Sequence, residues 1–178
     1  MIIKRINNQD DIPNELINTP IESLIQYQNF AKPFEKYDTA KLLVGMCMDN
    51  RKQLKMPENF AYIIRTGGAN LRYCEFKVSY AIAIGKLDYI VLIAHDKCGM
   101  VNLVSKFDSF VEGLCRLENW DEEKAKEHFY NYAPMYEIEN EIEFVVNESR
   151  RLSQKYIGVT VVPLYYTLDD NQLCLIVD

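Results

Sequence analysis

The sequence predicts an α/β fold with a mostly parallel central β-sheet and an antiparallel edge strand, flanked by helices and preceded by an N-terminal helical arm. Strand-sized apolar runs alternate with helix-like segments, which is typical of parallel strands joined by crossover helices. The run from Tyr89 to Ala94 is almost uninterrupted, as expected of a strand buried on both faces. Asp169-Asp170-Asn171 forms a turn signal between the last two runs, so we expect the final strand to be antiparallel to the one before it.

The N-terminal arm covers residues 1–40 and has a polar, irregular composition. Within it, residues 13–30 place apolar side chains at helical spacing. Pro20 suits the first turn of a helix, and the preceding Thr19 can cap it. Such an arm packs either on its own domain or on a partner subunit, and both alternatives stay open.

The other elements follow from changes in the spacing of the apolar residues. We expect strands at residues 41–48, 61–65, 88–95, 156–167 and 173–177. We expect helices at residues 71–86, from Gly99 to about residue 117, and at residues 121–132 and 137–156. Together they predict a single domain that spans residues 1–178.

Composition excludes several classes of protein. The net charge of −6 argues against a nucleic-acid partner, since such proteins carry a basic face. The apolar runs are too short to span a membrane, and the N-terminus lacks the apolar core of a signal peptide. Five cysteines are too few for a disulfide scaffold, so we expect reduced thiols and a cytoplasmic protein.

Metal-ligating residue types follow two of the predicted strands. His95 and Cys98 come after one strand, and Cys47 ends another. Because parallel strands carry their sites at their carboxyl ends, we expect these three side chains to meet. Two thiolates and one imidazole are good Zn²⁺ ligands, and three protein ligands leave the fourth position open, as in catalytic zinc sites.

Each of these residues alone is more often a buried side chain without chemistry, but the joint pattern is far more demanding. Asp49 and Arg51 occupy alternate positions after Cys47, where an extended chain would point all three the same way. Cys98 stands where the next helix is expected to begin, so helix N–H groups would favour its thiolate. The sequence therefore predicts a zinc site with an adjacent acid–base pair.

Three motifs carry a resemblance to the β-class carbonic anhydrases, and the chain's length resembles the shorter branch of that family. They are Cys47-Met48-Asp49-Asn50-Arg51, Ile64-Arg65-Thr66-Gly67-Gly68 and His95-Asp96-Lys97-Cys98-Gly99. The resemblance is clear over residues 41–105 and weak over residues 1–40 and 106–150. One departure is Thr66-Gly67-Gly68, where the family usually has Asn-Ala-Gly.

The resemblance implies reversible hydration of CO2 to bicarbonate and a proton by zinc-bound hydroxide. Cys47, His95 and Cys98 would be the ligands, Asp49 would accept a hydrogen bond from the hydroxide, and Arg51 would orient Asp49. In a closed state, Asp49 could itself become the fourth ligand. Two thiolates already neutralise Zn²⁺, so we expect activity to rise with pH above neutrality. The family also implies a homodimer or a higher multiple.

Several alternatives stay open at this stage. Related family members hydrolyse CS2 or COS with the same kind of centre, and the sequence does not separate these substrates from CO2. A non-catalytic zinc-binding homologue is a third possibility, although a purely structural site needs neither Asp49 nor Arg51. His128, the one histidine besides His95, is interpreted as a solvated helix residue rather than as a proton acceptor.

Overall fold

The computed structural model describes residues 1–177, so Asp178, the last residue of the predicted domain, lies outside the described residues. Within this range, the strands are β1 (Ile2–Arg5), β2 (Leu42–Cys47), β3 (Ala61–Thr66), β4 (Tyr89–His95), β5 (Thr160–Thr167) and β6 (Gln172–Val177). The α-helices are α1 (Pro20–Asn29), α2 (Glu75–Ala83), α3 (Phe107–Glu118), α4 (Glu122–Tyr136) and α5 (Glu141–Lys155). Short 3-10 turns lie between several of them.

All the described strands form one sheet in the order β1-β6-β5-β4-β2-β3. The four strands β5, β4, β2 and β3 are parallel, and β6 and β1 continue the sheet in antiparallel fashion. This confirms the predicted fold class, a mostly parallel sheet with an antiparallel edge. Strand β1 was not predicted, because four residues with a single partner strand give too short a pattern to recognise.

The central parallel strands β2 and β4 are buried because helices cover both faces of the sheet. Val91 and Ile93 of β4 face one side, where α1 packs, whereas Ile90 and Leu92 face α2 and α5 on the other side. Successive side chains of a strand point to opposite faces, so a run that is apolar at every position requires a cover on each side. Because β2 and β4 are adjacent and parallel, their carboxyl ends lie at the same edge of the sheet.

Helix α1 of the arm packs on the sheet of its own domain. Its side chains at Ile21, Leu24 and Ile25 are fully buried within the single chain. The Thr19 hydroxyl accepts a hydrogen bond from the Glu22 N–H at 3.4 Å, and Pro20 is the first helical residue, as predicted. Helix α1 is therefore part of the core on this side of the sheet.

Within residues 1–177, none of the helices combines the length and the apolarity needed to cross a membrane.

Candidate metal centre

The three predicted ligands meet at the carboxyl ends of two adjacent strands. Cys47 is the last residue of β2, His95 is the last residue of β4, and Cys98 lies in the turn that follows. One donor atom from each lies within 4.8 Å of the other two, and all three residues are buried. The parallel pairing of β2 with β4 places Met46 opposite Ile93, which brings the two strand ends side by side.

The donor atoms fit a zinc ion in number, type and separation. The Sγ atoms of Cys47 and Cys98 lie 3.8 Å apart. Two sulfurs bound to one tetrahedral Zn²⁺ at about 2.3 Å each would be separated by about 3.8 Å. A nitrogen donor completes a two-sulfur, one-nitrogen set of the kind that zinc prefers. The residues present therefore fit the metal that the sequence motifs implied.

His95 is oriented for metal binding by its own backbone neighbour. Its Nδ1–H donates to the Asp96 carbonyl oxygen at 2.9 Å, which leaves Nε2 as the unprotonated nitrogen. His95 is only 1% exposed, and its Nε2 has no hydrogen-bond partner among the described residues. A buried acceptor of this kind is costly unless something binds it, and the two sulfurs lie beside it.

The two thiols behave as a pair that shares one proton. The hydrogen bond between the sulfurs has the largest effect on Cys47, where it lowers the pKa of the thiol against the opposing effect of burial. The same contact, together with burial, raises the pKa of Cys98. One sulfur of the pair is thus readily available as a thiolate, the form that binds metal.

The structure corrects two of the sequence-based explanations of this site. Cys98 does not begin a helix, because the chain turns through residues 96–100, a 3-10 turn follows at Leu103–Lys106 and α3 begins only at Phe107. The chain after Cys47 is a turn rather than an extended strand, so alternation does not align Asp49 and Arg51. Direct hydrogen bonds bring these two side chains together instead.

Arg51 holds the Asp49 carboxylate with a two-pronged contact. Its Nε lies 3.0 Å from Oδ1 and its Nη2 lies 2.5 Å from Oδ2, while the Arg51 backbone N–H also donates to Oδ1 at 2.9 Å. These hydrogen bonds hold the pKa of Asp49 well below its usual range, so the carboxylate is ionised at neutral pH. Asp49 is thereby held by Arg51 beside the cluster of ligands, and its oxygens do not belong to that cluster.

Arg65 positions the same turn from the neighbouring strand β3. Its Nη1 lies 3.3 Å from the carbonyl oxygens of both Cys47 and Asp49, and its Nη2 donates to the Lys52 carbonyl oxygen at 3.0 Å. One guanidinium therefore organises the backbone that carries a ligand and its neighbouring carboxylate. The motif that contains Arg65 was part of the resemblance, but this role was not predicted.

The two glycines after β3 allow the side chains of Met100 and Ile138 to pack closely against the backbone near the candidate ligands. A Cβ on Gly67 would lie 2.9 Å from Met100 Sδ, and one on Gly68 would lie 3.0 Å from Ile138 Cδ1. Gly68 also has φ of +60°, a left-handed conformation that favours glycine. Ile138 packs against Cys47 and Cys98 in a small apolar cluster, so these glycines let an apolar cover reach the two sulfurs.

Lys52 is a buried cation near the site that sequence reasoning missed. The residue is fully buried, and its Nζ has no hydrogen-bond partner among the described residues. Burial lowers the pKa of Lys52, whereas the nearby Cys47 thiolate and Asp49 carboxylate favour its charged form. An isolated lysine in a polar segment carries no sequence signal that it will be buried.

His128 is partly exposed and lies outside the cluster of predicted ligands. It is half-buried in α4 between the rings of Phe110, Trp120 and Tyr132, at centroid distances of 6.1, 5.3 and 4.7 Å. Aromatic rings therefore contact one part of a side chain that stays partly exposed, and the interpretation of His128 as a solvated helix residue stays a prediction. The remaining cysteines, Cys74, Cys115 and Cys174, are free thiols outside the cluster.

Comparison with known proteins shows which fold this is. No protein-family model and no curated protein sequence matches the chain. Among solved structures, it is similar to a carbonic anhydrase from Glaciozyma antarctica at 14% identity, with a TM-score of 0.59, over 91% of this chain and 98% of that one. It is also similar to β-carbonic anhydrase isoform I from Trichomonas vaginalis at 16% identity, with a TM-score of 0.60, over 93% and 98% of the two chains.

A third similar structure is the apo form of a carbon disulfide hydrolase, at 17% identity and a TM-score of 0.55 over 90% of each chain. These likenesses cover nearly the whole chain, including segments where the sequence motifs are weak. The protein therefore has the fold of the β-carbonic anhydrases, as the three sequence motifs implied.

Proposed function

We propose that this protein is a zinc lyase that catalyses the reversible reaction CO2 + H2O ⇌ HCO3⁻ + H⁺. The observation that carries the proposal is the Asp49–Arg51 pair beside the buried cluster of Cys47, His95 and Cys98. A purely structural zinc site would need the three ligands but not an oriented, ionised carboxylate next to them. The shared fold supports the same reading.

Cys47, His95 and Cys98 would hold the zinc ion. When bound, zinc supplies a Lewis acid that lowers the pKa of a coordinated water, so that hydroxide is available near neutral pH. The apolar cover of Ile138 and Met100 limits access of bulk water to the sulfurs. Apolar surroundings also lower the local dielectric constant, which strengthens electrostatic interactions at the site.

Asp49 would orient the attacking oxygen. An ionised carboxylate accepts hydrogen bonds and cannot donate them, so it can bind the attacking oxygen only through a hydrogen of that oxygen. A lone pair of the oxygen then stays free to attack the carbon of CO2. Arg51 keeps Asp49 ionised and fixes the orientation of its carboxylate plane through the two-pronged contact.

A second candidate is hydrolysis of CS2 or COS at the same centre. An apolar cavity of about 450 Å³ is lined by Gly99 and Met100, which follow Cys98 in sequence, and by residues of α3 and α4. Such a cavity suits uncharged, apolar substrates, and a carbon disulfide hydrolase shares the fold. Release of sulfide from CS2 at a kcat/KM above that for CO2 hydration would favour this candidate.

Replacement of Asp49 tests catalysis against a non-catalytic zinc protein. We expect Asp49→Ala to retain zinc, because Asp49 is outside the ligand cluster, and to lose most CO2 hydration measured by stopped flow. Asn50→Ala changes the exposed neighbour and serves as the matched control. A zinc-loaded parent protein without hydration activity would support the non-catalytic homologue instead.

We propose that the protein acts as a homodimer or a higher multiple in the cytoplasm, with a small molecule as substrate and without a nucleic-acid or membrane partner. The outer edge of β3 supports the assembly: Tyr62 and Ile63 are 42% and 44% exposed there, and Phe76 of α2 is 79% exposed. Large exposed apolar side chains beside an open strand edge are typical of an interface. The molar mass from light scattering should be that of a dimer or a higher multiple for the parent protein and lower for Phe76→Lys. A monomeric parent protein would contradict the proposed assembly.

A further inference from the structure

The peptide bond between Lys97 and Cys98 is held from both sides. Its carbonyl oxygen accepts a hydrogen bond from Arg51 Nη2 at 3.0 Å, and its N–H donates to Glu141 Oε1 at 3.1 Å. The C=O and N–H of a trans peptide point in opposite directions, so the two bonds together prevent rotation of the peptide plane. This plane leads directly to the Cα of Cys98 and therefore sets where its Sγ lies.

The turn of residues 96–100, here called the ligand loop, needs such support because its backbone is strained. Lys97 has φ of +54°, in the left-handed region that non-glycine residues rarely adopt. Each such residue costs about 1–2 kcal/mol and keeps that conformation only where neighbouring contacts enforce it. The contacts to Arg51 and Glu141 act on the peptide unit that immediately follows this torsion.

Glu141 reaches Cys98 across 43 positions of sequence because the chain before α5 pairs with the ligand loop. Ile138 N–H donates to the Met100 carbonyl oxygen at 3.0 Å, and Val101 forms a parallel bridge with Ile138. Asn140 then caps α5, so that Glu141 is its first residue. The capped helix start holds the Glu141 backbone in place and directs its half-buried side chain toward the loop.

We propose that Glu141 is a positioning residue for the metal centre, which fixes the Cys98 thiolate by holding the Lys97–Cys98 peptide plane. The proposal rests on the proposed zinc site and adds a residue from the segment where the sequence resemblance is weak. Glu141 acts through Cys98 rather than as a ligand, because its carboxylate is outside the cluster of donor atoms. Residues that orient a ligand typically change metal affinity about 10–100-fold when they are removed.

Two substitutions separate the hydrogen bond from the charge. Glu141→Gln removes the charge and retains a carbonyl oxygen at the same reach, so it should keep the bond. Glu141→Asp keeps the charge and its interaction with the helix dipole, but it shortens the side chain by about 1.5 Å and should lose the bond. The same two changes at Glu143, an exposed acid in the same first turn of α5, are the matched controls.

The first readout is zinc affinity, measured by competition with a chromophoric chelator. We expect Glu141→Asp to weaken zinc binding about 10–100-fold and Glu141→Gln to stay within about threefold of the parent protein. The second readout is hydrogen exchange of the Cys98 amide in the zinc-free protein, which should accelerate in Glu141→Asp only. Both Glu143 variants should match the parent protein in both measurements.

Unchanged zinc affinity and unchanged Cys98 exchange in Glu141→Asp would overturn the proposal. Equal losses in Glu141→Gln and Glu141→Asp would also overturn it, since the effect would then not follow the hydrogen bond. Neither readout depends on CO2 hydration, so a protein that binds zinc without hydrating CO2 would refute the proposed function and leave this inference standing. If the protein bound no zinc, the exchange measurement would still test whether Glu141 holds the loop.

Discussion

Arg51 offers the sharpest test of how the site controls its carboxylate. In Arg51→Ala, Asp49 loses three side-chain hydrogen bonds, at 3.0, 3.1 and 2.5 Å, and the Lys97 carbonyl oxygen loses its 3.0 Å bond. The pKa of Asp49 should rise toward its ordinary value of 3.8, which still leaves it ionised at neutral pH. The expected defect is therefore one of orientation and not one of protonation.

The magnitude follows from these contacts. A hydrogen bond to a charged group contributes about 1.5–3 kcal/mol, and a two-pronged contact would contribute more than one bond. The Arg51 side chain is 48% exposed, so solvent screens part of this energy. We therefore expect about a 30-fold lower kcat for CO2 hydration, within the loss of about 10–100-fold that removal of an orienting residue typically causes. A released Asp49 could also bind zinc as a fourth ligand and lower activity further.

The assay is stopped-flow CO2 hydration at matched zinc content. Arg51→Lys retains the charge without the planar fork, so it should recover only part of the activity. Arg150→Ala, which changes an exposed arginine of α5, should behave as the parent protein does. A kcat for Arg51→Ala within about threefold of the parent value, with zinc retained, would refute the orienting role.

Three further predictions concern pH, the glycine turn and the ion-pair network. Between about pH 6.5 and 9, kcat for CO2 hydration should rise, because two thiolates neutralise the zinc and leave its water less acidic than the value of about 7 in three-histidine sites. Asp49 does not supply this rise, since its lowered pKa keeps it ionised throughout the range, and a flat profile would contradict the prediction. Gly68→Ala should lower the free energy of unfolding, measured with urea, by about 1–2 kcal/mol. It should also weaken zinc binding by displacing Ile138, and an unchanged zinc affinity would contradict a role for this contact at the site. Glu148→Ala should lower the free energy of unfolding by about 3 kcal/mol, because the fully buried carboxylate pairs with the partly exposed Arg72 and Arg151. Asn147→Ala changes an exposed neighbour, and an equal loss of stability in the two variants would contradict this prediction.

Every strand except β1, and the three candidate ligands, were predictable because their signals are local. The run that ends at His95 is apolar at nearly every position, so it had to be a covered parallel strand, and such strands carry sites at their carboxyl ends. Cys47 ends a second run of the same kind. The sequence predicted that these side chains meet at the carboxyl ends of parallel strands, and the structure pairs β2 with β4 and brings the donor atoms together.

Contacts between distant segments were not predictable in this way. Glu141 and Lys52 have ordinary local sequences, and their positions near the ligands arise only when α5 and the turn after β2 pack on the sheet. The packing of α1 on its own sheet was likewise open, because an apolar helical stripe does not state which surface covers it. The delayed start of α3 has a similar origin: residues 99–102 form a turn that pairs with Ile138 instead of continuing into a helix.

We propose that Cys47, His95 and Cys98 hold a zinc ion at which CO2 is hydrated. Stopped-flow CO2 hydration, on protein whose zinc content has been determined on the same sample, tests this proposal. We expect one zinc per chain and a hydration rate that scales with zinc occupancy. A preparation without zinc in which all five cysteines are freely titratable, or a fully zinc-loaded protein without hydration activity, would contradict it.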